Sequence, residues 1–271
     1  MEEPSQSEQT PQSSQQSPPK WLWINYYDGH REYREAQKRN TKWAKKQGFQ
    51  VKEYNRSHLD PLFCKNYQHI LKEPLGCGNY LWKPYIIQHA LKNEIDQGDY
   101  LIFCDAGSKF KYGTKHQLQT WVDKYLIATI DHPRPQYQVT KRDAYILMNL
   151  DSGRYMNYPQ RVSGFIVLKK DPHVMNIVDE WLKFCCDIRI ISDRPNECGH
   201  PNYDGFVRNH HEQTVLSLLC QKYQIPAYGH WDRMVKRHYF LKDQERPGKK
   251  FNDLLRKAKR PLKHKTKKTR K

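Results

Sequence analysis

No run of about 18 apolar residues, the length needed to cross a bilayer, occurs anywhere in the 271-residue sequence. The N-terminus also lacks the charged-then-apolar layout of a secretion signal. These absences predict a cytoplasmic protein with no membrane span. No Cys-x-x-Cys pair is present, which argues against a structural zinc site. The seven cysteines (Cys64, Cys77, Cys104, Cys185, Cys186, Cys198 and Cys220) are odd in number and two are adjacent. That pattern suits a reducing compartment better than a disulfide framework. There is no Gly-x-Ser-x-Gly elbow and no cysteine in a protease-like setting, so nucleophilic catalysis has little support. The Gly-x4-Gly-Lys-Ser/Thr loop, the kinase signatures and the Rossmann glycine fingerprint are missing too, and no internal repeat is visible.

Hydrophobic residues are scarce as well, at 37%. The shortage is concentrated at the ends. Residues 1–20 read as a polar, disordered tail of Ser, Gln, Pro, Glu and Thr, and residues 249–271 as a basic, disordered one. Residues 21–248 remain as one folded domain, holding nearly all of the 7 Trp, 18 Tyr and 9 Phe, ample for a sizeable core. The formal charge is +18, and residues 249–271 carry twelve Lys or Arg against one Asp. The folded part stays basic, which favours anionic partners such as nucleotides, nucleic acids or phosphorylated glycans. The basic tail suits a phosphate polymer or an anionic membrane surface.

Trp21–Tyr26 reads as a buried first strand, Arg31–Gly48 as a charged helix stopped by glycine, and Phe49–Tyr54 as a second strand. Pro61–Lys72 and Pro84–Lys92 show helical spacing, and Tyr100–Cys104 is a third strand. This alternation predicts an α/β fold, a mostly parallel sheet flanked by helices. Trp121–Ile127 fits helix or strand. Arg161–Leu168 reads as a central strand interrupted by Gly164, Ile225–Tyr228 as a short strand, and Pro172–Cys185 and His211–Tyr223 as helices. The polar segment 192–209 is long enough for a lid or binding loop.

Three places could carry chemistry. Asp105 follows an apolar strand and precedes Ala106-Gly107. A carboxylate there can hold a divalent cation or a ribose hydroxyl, and equally can cap a turn. Gly76-Cys77-Gly78 leads to Lys83 and Pro84 at a helix start, where a phosphate is favoured; a loop packing its aromatics fits the same residues. Glu212, after His210-His211 and before Gln213, can act as a general base or simply cap its helix. His230 is a candidate ligand or a plain surface histidine. Thr140-Lys141-Arg142-Asp143 and Gln160 are polar residues near the expected open edge of the sheet.

The order of the blocks GCGNYLWKPYIIQHAL, GDYLIFCDAGS, TKRDAYILMNLDS, QRVSGFIVLKKDPHVMNIVDEWL and HHEQTVLSLLCQKYQI resembles a group of GT-A-type glycosyltransferases. That group occurs in bacterial surface-polysaccharide loci and in large DNA viruses, chlorovirus-like ones included, that glycosylate their own capsids. The resemblance spans about residues 21 to 228. It implies a GT-A-like, Rossmann-like single domain and a nucleotide-sugar donor, with UDP the carrier and xylose a suggested sugar. The donor would contact Asn25, Tyr26, Tyr27, Asp105, Ala106 and Gly107, with Lys83 facing the diphosphate. Asp105 stands at the start of the Asp-x-Asp position, but the motif here reads Asp-Ala-Gly. The loss of the second carboxylate puts Mn2+ or Mg2+ dependence in doubt; Asp105 and His230 are the candidate ligands. His211-Glu212-Gln213 takes the place of a His-Asp-Gln motif. Glu212 would then be the base of an inverting transfer, with Asp143 and Asp204 as rivals.

The same resemblance implies a glycan or glycoprotein acceptor contacting Lys141, Gln160, Ser163, Gly164, His211 and Gln213, under a mobile lid at 192–209. A peripheral contact of the basic tail with anionic membrane is a further expectation. The competing readings are a basic nucleic-acid-binding protein, for which no binding module is visible, and an inactive relative that binds glycans without transferring them.

Overall fold

The computed structural model describes residues 18–108 and 114–230; the expectations attached to residues 1–17 and to the basic tail lie outside the described residues. The strands are β1 (Trp21–Tyr27), β2 (Gln50–Asn55), β3 (Tyr100–Cys104), β4 (Ile127–Ala128), β5 (Ile130–Pro135), β6 (Pro159–Arg161), β7 (Phe165–Lys169) and β8 (Gly229–His230). The helices are α1 (Arg31–Lys46), α2 (Pro61–Asn66), α3 (Gln68–Leu71), α4 (Gly76–Asn79), α5 (Trp82–Asn93), α6 (Lys115–Tyr125), α7 (Arg142–Leu147), α8 (Gly153–Met156), α9 (Pro172–Cys185), α10 (Ile188–Ile191) and α11 (Glu212–Lys222).

Side-chain alternation in the strands dictates the layers. Leu22, Ile24 and Tyr26 of β1, Leu101 and Phe103 of β3, and Ile166 and Leu168 of β7 face one side, where α5, α9 and α11 pack. Trp21 and Trp23, Tyr100, Ile102 and Cys104, and Phe165 and Val167 face the other side, under α1 and α6. Strands buried on both faces are what a mostly parallel sheet requires. The main sheet runs in the order β2-β1-β3-β7-β4, with β1 parallel to β2 and β3, and β7 antiparallel to β3 and β4. This is the Rossmann-like α/β architecture expected, with one reversed strand. The carboxyl ends of β1, β2 and β3 share one edge, the place where open α/β sheets bind ligands.

A second sheet, β6-β5-β8, branches from the first. The stretch 161–168 is therefore two strands in two sheets, not one. The chain crosses at Thr129 on one side and at Val162-Ser163-Gly164 on the other. Thr129 Oγ1 donates to the Val162 carbonyl (2.5 Å) and Val162 N–H to that of Ile130 (2.8 Å), which locks the two crossings together. An apolar run reads alike in either sheet; only the glycine marks the break. Residues 225–228 are not a strand, and 61–72 divide into two short helices at Tyr67.

Segment 192–209 has no helix or strand, but it is tied to the body. Asp143 is fully buried and accepts the Glu197 (3.0 Å) and Cys198 (2.9 Å) N–H groups. Lys141 Nζ lies 3.0 Å from Asp143 and donates to the Arg194 carbonyl (2.9 Å). Burial alone would raise the Asp143 carboxyl. Hydrogen bonds from Cys198, Lys141 and the Glu197 amide outweigh it and hold the group below its ordinary 3.8. A depressed carboxyl stabilises fully above its unfolded value and loses that contribution as pH falls through the folded one. Hydrogen-exchange protection of the Glu197 and Cys198 amides, corrected for intrinsic rate, is expected to hold at about pH 7 and to collapse only once pH falls below the ordinary carboxylate range. Asp143→Asn is expected to weaken it already at about pH 7; unchanged protection in that variant would contradict the anchor.

Candidate active site at the fork between the sheets

β3 carries Leu101 and Phe103 toward α5, and Asp105, two residues further, falls on the same side. There it meets Lys83, in the first turn of α5. An ammonium at a helix N-terminus opposes the helix dipole, and Lys83 is only 2% exposed, so it requires anionic partners. It has two: Glu212 Oε1 at 2.8 Å and Asp105 Oδ1 at 3.2 Å. Burial alone would lower the Lys83 ammonium; Asp105 and then Glu212 reverse that and raise it above its ordinary value. The Phe103 ring adds a cation–π contact at 5.2 Å. Ser163, in the crossing between the sheets, donates to Glu212 Oε1 (2.8 Å) and receives Lys83 Nζ (3.2 Å). Gln213 Oε1 accepts the Ser163 N–H (3.0 Å), and the Trp181 indole donates to the Glu212 carbonyl (2.9 Å).

Gly164 closes the cluster. Its carbonyl accepts the Asp105 N–H (2.8 Å), and a Cβ at this position would lie 2.8 Å from Asp105 Oδ2. Only glycine leaves the carboxylate where it is. Access separates the two acids: the Glu212 side chain is 4% exposed, that of Asp105 42%. One ammonium between two carboxylates leaves the cluster with a net negative charge. Lys83 is therefore neutralised in place by both carboxylates.

The glycines before Lys83 serve a turn, not an open phosphate loop. Residues 76–80 all have positive φ, between 51° and 104°. A left-handed turn costs roughly 1–2 kcal/mol per non-glycine residue. At Gly78 no side chain fits, because a Cβ would lie 2.7 Å from Leu71 Cα. The turn sets Tyr80 beside the cluster, where burial and then Glu212 push its phenol up to about 12. Tyr80 and Trp181 were not foreseen; aromatics in an apolar context carry no sequence signal for such placement.

The other expected residues divide. Tyr26 points to the α5 side, stacks on Trp82 (3.9 Å between centroids) and donates to Asp28. Alternation turns Asn25 to the α1 side, where it is fully buried and donates to Asn40 (2.9 Å) and Thr41 (3.1 Å), so it supports the strand and does not face the edge. Tyr27 and Gly107 are half-buried at the edge, and Ala106 is buried. Gln160 accepts Gln213 Nε2 (2.7 Å), and His211 Nδ1 bonds the Ile191 carbonyl (2.7 Å). Lys141 and Asp143 are consumed by the loop anchor described above, and Asp204 is exposed in a turn. His230 does not join Asp105: it lies 3.3 Å from Asp131 in the second sheet, and Asp131 also pairs with Arg161. Among the described residues no three His, Cys, Asp or Glu side chains converge as a metal cluster, and no helix is long and apolar enough to cross a membrane.

Solved structures that this chain resembles are glycosyltransferases. One is the WbbM bifunctional glycosyltransferase (10% identity, TM-score 0.44, 74% of this chain covered). The chain spans 37% of the length of that protein. A second is the glycosyltransferase involved in glycosylating the major capsid of PBCV-1 (14%, 0.37, 78% of this chain and 81% of that one). A third is mouse xyloside xylosyltransferase 1 (9%, 0.43, 78% and 84%). No family model and no curated protein sequence matches.

Removing the ammonium alone strands Glu212 as a buried, unpaired charge. Lys83→Met is expected to cost about 3–5 kcal/mol in denaturant unfolding, and the double variant Lys83→Met/Glu212→Gln to recover much of it. Strictly additive losses would contradict the coupling.

Proposed function

We propose that the chain is a glycosyltransferase, moving a sugar from a nucleotide donor to a hydroxyl of a glycan or glycoprotein acceptor with inversion. The observation that carries this reading is the Lys83 cluster at the carboxyl edge of the sheet. It presents one open carboxylate, Asp105, and one enclosed carboxylate, Glu212, which Ser163 of the crossing also contacts. UDP is the carrier and xylose the first sugar to try, as the motif resemblance implies.

Glu212 takes the proton of the acceptor hydroxyl as that oxygen attacks the anomeric carbon. The bond from that carbon to the diphosphate oxygen breaks, and its electron pair leaves with the diphosphate. Ser163 Oγ already donates to Glu212, so the carboxylate is oriented to receive a hydroxyl proton. A net negative cluster favours the positive charge that develops on the sugar in glycosyl transfer. The same charge repels a diphosphate. A single carboxylate completed by substrate phosphates is an ordinary setting for Mg2+ or Mn2+, and the half-exposed Asp105 fits it; His230, held by Asp131, does not. Such an ion supplies charge neutralisation for the diphosphate.

Thermal stabilisation by UDP and UDP-sugars tests the reading. At one hundred times its dissociation constant a native-state ligand adds about 2.7 kcal/mol. With Mn2+ a UDP-sugar is expected to stabilise the protein, with EDTA much less so, and Asp105→Asn is expected to lose the difference. Equal shifts in EDTA would overturn the role of Asp105 as cation holder. No shift with any nucleotide sugar, beside a clear shift with oligonucleotides, would overturn the transferase.

A further inference from the structure

A second group of basic side chains stands next to the Lys83 cluster. His132 and Arg134 lie on β5. Arg208 and His210 lie on the end of the 192–209 segment and just beyond it, where Val207 N–H donates to the Gln138 carbonyl (2.8 Å) and His210 N–H to that of Val139 (3.0 Å). Those bonds bring the two stretches side by side. The His132 and His210 rings meet edge to face with centroids 5.2 Å apart, and Arg208 Nε donates to His210 Nε2 (3.0 Å). With Nε2 accepting, the His210 proton sits on Nδ1 and is given to Gln160 Oε1. Gln160 also accepts from Gln213, and Gln213 accepts from Ser163, the partner of Glu212. The basic group is thus joined to the enclosed carboxylate by an unbroken line of hydrogen bonds.

We propose that His132, Arg134, Arg208 and His210 form a subsite for an anionic group, a sugar carboxylate or a phosphate ester, carried by the acceptor glycan. Two guanidiniums and two imidazoles are gathered here on two adjoining stretches, and both arginines are exposed. Guanidinium forks match planar carboxylate and phosphate oxygens in pairs, which suits them to this ligand chemistry. The local field agrees. Burial, then Arg208 and Arg134, lower the His132 imidazole to about 4. Burial, then Arg208, His132, His211 and Arg134, push His210 far below its ordinary value. With both imidazoles held neutral, the positive charge that an anion meets here is that of the two guanidiniums. The assignment to the acceptor rests on the transferase reading, with the acceptor hydroxyl at Glu212.

The test uses the full chain and three probes in calorimetric or NMR titrations: methyl β-glucuronide, glucose 6-phosphate and, as the neutral control, methyl β-glucoside. The variant is Arg134→Gln/Arg208→Gln, both at exposed positions, with the melting temperature measured alongside to confirm that it folds. At least one anionic probe is expected to bind more tightly than the glucoside, and to lose at least about tenfold in affinity in the variant. UDP affinity is expected to stay the same. Which probe responds tells carboxylate from phosphate. Affinities unchanged by the variant would overturn the subsite, and a parallel loss of UDP affinity would assign the arginines to the donor and overturn the acceptor role. Arginine-dependent anion binding by a protein that binds no nucleotide sugar leaves the subsite standing and removes the transferase reading instead.

Discussion

A buried ammonium between two carboxylates governs the architecture of this protein. Lys83 sits in the first turn of α5, on the wrong side of the helix dipole and with almost no solvent. It is tenable there only because Asp105 and Glu212 are brought to it from opposite directions. Asp105 arrives at the end of β3, and Glu212 at the start of α11. The core under the sheet, from Leu22 and Phe103 through Trp181 to Leu216, fixes both elements, so the charge cluster and the packing depend on each other. A buried pair of this kind contributes little net stability over an apolar replacement, but losing one partner is costly.

The fork between the sheets is what joins this cluster to the rest of the molecule. At Val162-Ser163-Gly164 the chain leaves the second sheet and enters the first. All three residues of the crossing are engaged. Val162 bonds Thr129 and Ile130, Ser163 bridges Lys83 and Glu212, and Gly164 gives Asp105 room. From the same place a hydrogen-bonded line runs through Gln213 and Gln160 to the basic side chains of β5 and of residues 208–210. Both carboxylates and the basic side chains are thereby held in one hydrogen-bonded frame.

Much of the frame is legible in the sequence. β1, β3, α5, α9 and α11 are visible because their apolar runs and stripes are long and sharply bounded. Lys83, Asp105, Glu212 and Gln213 can each be singled out by residue type and position, Ser163 only through the motif resemblance, and the structure brings these five together. Their mutual contact could not be read, since it depends on the register of α5 against β3 and on the crossing. Asn25 shows why a neighbouring residue misleads. One step along a strand reverses its face, so Asn25 supports α1 while Tyr26 packs under α5. Asp143 shows another limit: a loop carboxylate looks the same in sequence whether it takes a proton from substrate or ties down a loop. His230 sits beside Asp131 because its short strand pairs with β5 in the second sheet, a placement that sequence spacing does not reveal.

The central claim is that the enclosed carboxylate of the Lys83 cluster does the chemistry. Steady-state transfer of radiolabelled sugar from a UDP-sugar by Glu212→Gln tests it most directly. A general base is worth on the order of 10² or more in rate, so kcat is expected to fall by at least that factor while KM for the donor stays unchanged. A variant that turns over at the rate of the unaltered protein would contradict the account.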